Sequence, residues 1–227
     1  MAQPAIALQN VERRYGERIA LHGVTVTVPE GQTLAVLGAN GAGKTTLLRI
    51  LATLLRPHGG TAHVLGSPLP QESWRVRGRV GYLGHDPLLY RELSGRQNLA
   101  YHARLHGVPL EVVDAQLDAV GMFRRADSPV RELSRGMVQR LAAARATLHD
   151  PALLLLDEAR AGLDPAAAEK LEPLIGRASG RTRVLITHDV DGGLAEADVA
   201  LGLRAASQVF AVATAEIDGA EARRLYT

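Results

Sequence analysis

Residues 38 to 45 read Gly38-Ala39-Asn40-Gly41-Ala42-Gly43-Lys44-Thr45. The stretch fits the phosphate-binding pattern in which two glycines, with four residues between them, are followed by Lys and then by Ser or Thr. The apolar run Thr33 to Leu37 before it reads as a buried strand. The run Thr46-Leu47-Leu48-Arg49-Ile50-Leu51 after it reads as a helix, so the pattern has the strand–loop–helix context it requires. Glycines at these positions let backbone N–H groups turn inward around an anion, and the helix N-terminus adds partial positive charge. Lys44 suits the β- and γ-phosphates of a nucleotide, and the Thr45 hydroxyl suits Mg²⁺. Lysine is otherwise scarce: only Lys44 and Lys170 occur, among many arginines.

Composition agrees with a nucleotide-handling domain. The 227 residues are 46% hydrophobic, ample for a core, yet no stretch approaches the ~20 uninterrupted apolar residues of a membrane span. The longest candidate, Leu148 to Leu156, is broken by His149-Asp150-Pro151. No basic region followed by an apolar segment opens the chain, which predicts no secretory leader. With 26 basic and 24 acidic residues the net charge is +2, too balanced to point to nucleic acid. The absence of Cys excludes disulfides and thiolate metal sites and suits a reducing compartment, the cytoplasm.

Along the chain, Ala5 to Val28 reads as two strands joined by a turn at Gly16-Glu17, with Val24, Val26 and Val28 alternating with Thr25 and Thr27. The phosphate-loop unit closes at Leu55-Arg56-Pro57-His58-Gly59-Gly60. Val80 to Leu83 is a short apolar strand. From Glu92 to His149 the periodicity is helical, with no convincing strand. Strand character returns at Ala152 to Leu156, at Val184 to Ile186, and near Val199 and Val209. Continuous apolar strands alternating with helices imply a parallel sheet covered on both faces.

Three further segments carry chemistry. Leu153-Leu154-Leu155-Leu156-Asp157-Glu158 is an apolar strand ending in two carboxylates; Asp157 suits Mg²⁺ held through water, and Glu158 suits a base acting on an attacking water. An acidic pair after a strand is also commonplace where a strand ends in solvent. Thr187-His188-Asp189 follows the strand at Val184 to Ile186; a lone His there is often only a hydrogen-bonding group. Leu133-Ser134-Arg135-Gly136-Met137 precedes a helical run, with Ser134 placed as an N-cap and no acid crowding the entry. That is a second anion-binding helix terminus, or an ordinary capped helix.

Taken in order, these motifs resemble the pattern of ATP-binding cassette ATPases, and the resemblance covers essentially the whole chain. It implies an α/β fold: a P-loop NTPase (RecA-like) core with an N-terminal antiparallel β subdomain and an α-helical signature subdomain. One nucleotide-binding domain would fill residues 1–227, its core at 1–85 and 150–227 and its helical part at about 86–149. The implied cofactors are ATP and Mg²⁺. Tyr15 matches the aromatic residue that stacks on adenine. Gly38, Ala39, Asn40, Gly41, Ala42, Gly43, Lys44, Thr45 and Thr46 match the phosphate loop. Asp157 and Glu158 match the metal-holding and catalytic carboxylates, and His188 the residue that senses the γ-phosphate. Ala161-Gly162-Leu163-Asp164 resembles the loop that crosses between protomers. In this family two copies face head to tail, so Ser134 and Gly136 of one chain would close over ATP held by the other's Lys44.

Three departures stand out. Met137 replaces the signature Gln and Arg135 occupies its second position. Ala159 replaces the Pro after the catalytic Glu, which is expected to loosen the backbone there. His85 stands where the family places its Mg²⁺-contacting Gln. The pairing of Tyr82-Leu83-Gly84-His85 with Leu133-Ser134-Arg135-Gly136-Met137 resembles the ATP-binding subunits of haem exporter, or cytochrome c maturation, systems. An ATPase of another two-component exporter, for drugs, polysaccharide or lipid, is the alternative within the class. A soluble cassette acting on nucleic acid or translation fits less well, because the chain has one cassette and no extended heptads. The resemblance therefore implies an integral membrane permease as partner, a homodimer of ATPase subunits, no nucleic acid, and a peripheral place on the cytoplasmic face of the inner (cell) membrane.

Overall fold

The structure, a computed structural model, describes residues 3–160 and 163–226. Its ten strands form one sheet in the order β5-β4-β1-β2-β10-β9-β3-β8-β7-β6. In chain order these are β1 (Ile6–Tyr15), β2 (Arg18–Val28), β3 (Thr33–Leu37), β4 (Gly59–Val64), β5 (Ser67–Leu69), β6 (Val80–Leu83), β7 (Leu153–Asp157), β8 (Thr182–Ile186), β9 (Val199–Arg204) and β10 (Ser207–Ala213). The helices are α1 (Lys44–Leu51), α2 (Ser73–Arg77), α3 (Gly95–His106), α4 (Val112–Ala119), α5 (Arg135–Thr147), α6 (Pro165–Ile175), α7 (Val190–Glu196) and α8 (Gly219–Arg223).

The expected parallel sheet is present. β9, β3, β8, β7 and β6 run parallel, with Leu34 opposite both Val184 and Val199. Its central strands β3, β8 and β7 are buried along their whole length because both faces are covered. Alternation along each strand sends Leu34, Val36, Leu153 and Leu155 to a core shared with α1 and the N-terminal strands. Ala35, Leu37, Leu154 and Leu156 go to the opposite core, shared with α3, α4, α5 and α6. β1 and β2 form the expected antiparallel hairpin, and Val24, Val26 and Val28 are its buried face. The sequence reading misses β4 and β5: Gly59-Gly60 begins a strand that pairs antiparallel with β1, as well as ending the preceding helical unit.

Among the described residues, no named strand lies between Leu83 and Leu153, and that interval holds α3, α4 and α5. No helix among the described residues is long and apolar enough to cross a membrane. Buried apolar side chains Leu99, Val113, Leu117, Leu141 and Ala144 bind the three helices to one another.

Three histidines gather near the junction of α5 with β6. The His106 and His149 rings stack at 3.9 Å, and His149 Nε2 lies 3.2 Å from the Val80 carbonyl oxygen. Burial, then the Arg145 guanidinium and His106, hold His102 at about 4; burial and then His106 hold His149 at about 4. Both rings are therefore neutral in the fold and protonated in the unfolded chain between pH 6.5 and about 4. The unfolded chain binds more protons across that window, so stability falls as pH falls through it. Each proton contributes at most ~1.4 kcal/mol per pH unit, and solvent at these half-exposed rings lowers the figure. Urea midpoints of the wild type are expected to drop across the window more steeply than those of His102→Gln/His149→Gln. Equal slopes would refute this account.

Candidate functional site

The phosphate loop connects β3 to α1. Gly43 caps α1 in the left-handed region at φ 107, and a Cβ there would stand 2.5 Å from the Ala20 carbonyl oxygen. No other residue satisfies both constraints. No acid occupies the first turn of α1, so its N–H groups face the cleft without a competing negative charge.

The cleft has a volume of about 300 Å³. Asn40, Gly41, Gly43, Lys44, Thr45 and Thr46 form its floor, and Tyr15, Asp157 and Glu158 stand around it. Gly38 and Ala42 are buried behind it, Ala42 within the core beneath the loop. Lys44 Nζ donates to the carbonyl oxygens of Gly38 at 2.5 Å and Ala39 at 3.0 Å. Burial lowers the Lys44 ammonium from its ordinary value, against the opposing pull of Asp157 and Glu158. Thr45 Oγ1 donates to Asp157 Oδ2 at 3.1 Å. Burial raises the Asp157 carboxyl, and the Thr45 hydrogen bond partly offsets this.

Glu158 and His188 come together at the ends of β7 and β8, with His188 Nε2 2.8 Å from Glu158 Oε1. Glu158 sits in the left-handed region at φ 54, a conformation that costs a non-glycine residue about 1 kcal/mol or more. Its N–H donates to the Ile186 carbonyl at 3.0 Å, and Gln139 Nε2 of α5 donates to the Ala159 carbonyl at 3.0 Å. The segment that lacks the proline ring is thus tied at both residues. Behind the pair, Leu156, Ile175, Leu185 and Gly193 line an apolar hollow of about 380 Å³.

His85 is exposed beside the cleft and shares a hollow of about 170 Å³ with Arg135, Gln139, Asp157 and Glu158. Ser134 caps α5, accepting the Met137 N–H at 3.3 Å, and α5 has no acid in its first turn. Ser134 is exposed and Gly136 half-buried, and neither lines the phosphate-loop cleft. Asp164 caps α6, accepting the Ala167 N–H at 2.9 Å. Ala161 and Gly162, from the same expected loop, lie outside the described residues.

Two charged cleft residues escape the sequence reading. Arg18 pairs across the hairpin with Tyr15, a placement that follows from the turn at Gly16-Glu17, and Arg49 stands one turn along α1 from Thr45. Their guanidinium groups add positive charge where a phosphate chain would lie.

The residues present fit a nucleotide and its metal. Gly41 and Gly43 bring backbone to the cleft wall with no side chain in the way, Lys44 supplies a cation, and the Thr45 hydroxyl beside the Asp157 carboxylate gives hard oxygen donors that suit Mg²⁺. A phosphate loop on a parallel sheet, an antiparallel β layer and a helical lobe carrying a capped helix define an ATP-binding cassette fold. The family model for ABC transporters matches residues 21–161, and the chain belongs to that family.

The daunorubicin resistance ATP-binding protein DrrA3 of Streptomyces coeruleorubidus is 42% identical over 192 residues, covering 82% of this chain and 61% of that protein. The Nod factor export ATP-binding protein I of Ralstonia nicotianae is 37% identical over 193 residues, covering 82% and 60%. The chain thus spans about three fifths of the length of these curated relatives. A solved ATP-binding subunit of an ABC transporter superposes with a TM-score of 0.86 at 26% identity, covering 97% of this chain and 92% of that one. A dimeric ATP-binding cassette bound to ADP and phosphate shares the fold, with a TM-score of 0.82 at 24% identity over 92% of this chain and 98% of that one.

Proposed function

We propose that the chain is the ATP-hydrolysing subunit of a two-component exporter, driving a separate integral membrane permease from the cytoplasmic face of the cell membrane. The observation that carries this reading is the convergence of Lys44, Thr45, Asp157 and Glu158 around one cleft, with His188 bonded to Glu158, from three separate strand ends. Tyr15 offers a ring for adenine, and the loop N–H groups with Lys44 hold the phosphates. Thr45 and Asp157 would hold Mg²⁺, with His85 beside them as a further donor. When bound, that ion would neutralise charge on the phosphates.

Glu158 takes a proton from a water aligned on the γ-phosphorus. As the water's oxygen bonds to phosphorus, the bond to the β-phosphate oxygen breaks, leaving ADP and phosphate. His188, hydrogen-bonded to Glu158, orients the carboxylate and faces the transferred group. Ser134 and Gly136 stand outside their own chain's cleft, which supports a head-to-tail homodimer in which α5 of one copy and Asp164 of its neighbouring loop approach nucleotide on the other.

For the cargo, the names of the relatives favour a drug or a compound of the Nod-factor kind. The haem-exporter reading is carried by Tyr82–His85 and Leu133–Met137 alone. Loss of the protein is therefore expected to raise drug retention in cells and leave c-type cytochromes intact; the reverse outcome would restore the haem reading.

Mixing tests the shared site. Lys44→Ala and Ser134→Arg chains are each expected to be inactive. Their heterodimer contains one intact composite site, so ATPase activity should reappear on mixing, with the permease present. Full activity of Ser134→Arg alone would rule out the shared site.

A further inference from the structure

The C-terminal segment touches the phosphate loop. The Gly38 N–H donates to the hydroxyl of Tyr226 at 3.2 Å, across 188 residues of sequence. Gly38 is the first residue of the loop. It stands at φ 143, and a Cβ there would lie 2.2 Å from the Leu203 carbonyl oxygen, so the chain enters the loop against a wall of backbone. Its own carbonyl accepts Lys44 Nζ. Gly38 is thus held by a phenol on its N–H side and by the catalytic ammonium on its carbonyl side.

Tyr226 is held in turn. Leu225 and Ala222 are buried in the core, and Arg223 Nη1 lies 2.7 Å from both carboxylate oxygens of Asp191 on α7. The hydroxyl therefore sits on a fixed support, itself attached to the helix that follows His188.

We propose that Tyr226 is a positioning residue for the nucleotide: its hydroxyl keeps the entrance of the phosphate loop in its anion-binding shape while Lys44 changes partners. This rests on the nucleotide reading above. In the arrangement seen, Lys44 donates to backbone carbonyls. Once a triphosphate arrives, the ammonium turns toward it and its hold on Gly38 weakens. The contact from Tyr226 does not depend on nucleotide and persists. Phenylalanine at this position keeps the ring and its packing but leaves the Gly38 N–H without its partner.

The test compares wild type with Tyr226→Phe by Mg-ATP titration, steady-state kinetics with the permease, amide hydrogen exchange of the phosphate loop without nucleotide, and thermal unfolding. The variant is expected to raise the Kd and KM for Mg-ATP about 3- to 10-fold, the range that one hydrogen bond supplies. kcat should stay within about twofold, and the thermal midpoint should fall by only a few degrees, the cost of one N–H left without a partner while the packing is kept. Exchange at Gly38 should quicken. Wild-type affinity together with unchanged exchange would overturn the proposal. So would weaker affinity accompanied by a matching fall in kcat and a drop of more than about 10 °C in thermal midpoint, since that pattern marks a general loosening of the fold. If the wild type itself failed to bind Mg-ATP, the nucleotide reading would fall, while the exchange comparison would still decide whether Tyr226 holds the loop.

Discussion

Glu158→Gln is expected to lower steady-state ATP hydrolysis by about 100-fold or more, the range general-base catalysis supplies, while Mg-ATP binding stays near wild type. The glutamine amide matches the carboxylate in shape and retains a hydrogen bond to His188, but it accepts no proton from water. Lys44, Thr45 and Asp157, the groups assigned to phosphate and metal, are untouched. Glu158 occupies a strained left-handed conformation fixed by its N–H bond to Ile186, and strain of that kind gathers at functional sites. Binding without turnover should trap the closed homodimer, so light scattering in Mg-ATP should report twice the protomer mass. Hydrolysis by the variant at near the wild-type rate would remove Glu158 from the base role.

Asp157 is the other carboxylate within reach, yet it suits that role less. Burial raises its carboxyl, and it accepts the Thr45 hydroxyl, so its lone pairs face the metal-holding side of the cleft. Glu158, the residue after the end of β7, meets His188. Two adjacent carboxylates thus acquire different chemistry because Asp157 is the buried last residue of β7, whereas Glu158 follows it in a left-handed turn that brings it to His188.

The phosphate loop was legible in the sequence because its function is local: glycines, Lys and Thr act within eight consecutive residues of backbone. The two cores were legible for a related reason, since continuous apolar strands can be buried only between two layers. β4 was not legible. Gly59-Gly60-Thr61-Ala62-His63-Val64 has weak strand propensity, and pairing with β1 supplies what local preference lacks. The capping box of α3, Ser94 with Gln97, was legible but unread. Tyr226 carries no local signal, because its partner lies at the far end of the chain.

Arg183 shows the same limit from inside the core. Its charge makes the strand look as though it begins at Val184, but β8 begins at Thr182 and all five of its residues are buried. The side chain is 1% exposed, ion-paired to Glu196, and donates to Thr33 Oγ1 at 2.9 Å and to the Ile175 carbonyl at 3.1 Å. Glu196 lies on α7, at a distance in sequence that no motif marks. It also pairs with Arg160 at 3.3 Å, so it keeps a cation if Arg183 is lost, whereas Arg183 has no second carboxylate among its described partners. The two substitutions should therefore be unequal. Glu196→Ala leaves a buried guanidinium without counter-charge and is expected to cost ~3–5 kcal/mol of stability. Arg183→Met keeps the apolar stem, removes the buried charge and is expected to cost less. Urea unfolding of the two variants measures the difference. A cost below about 1 kcal/mol for Glu196→Ala, the level of an exposed pair, would show that solvent reaches Arg183 and that β8 is not sealed.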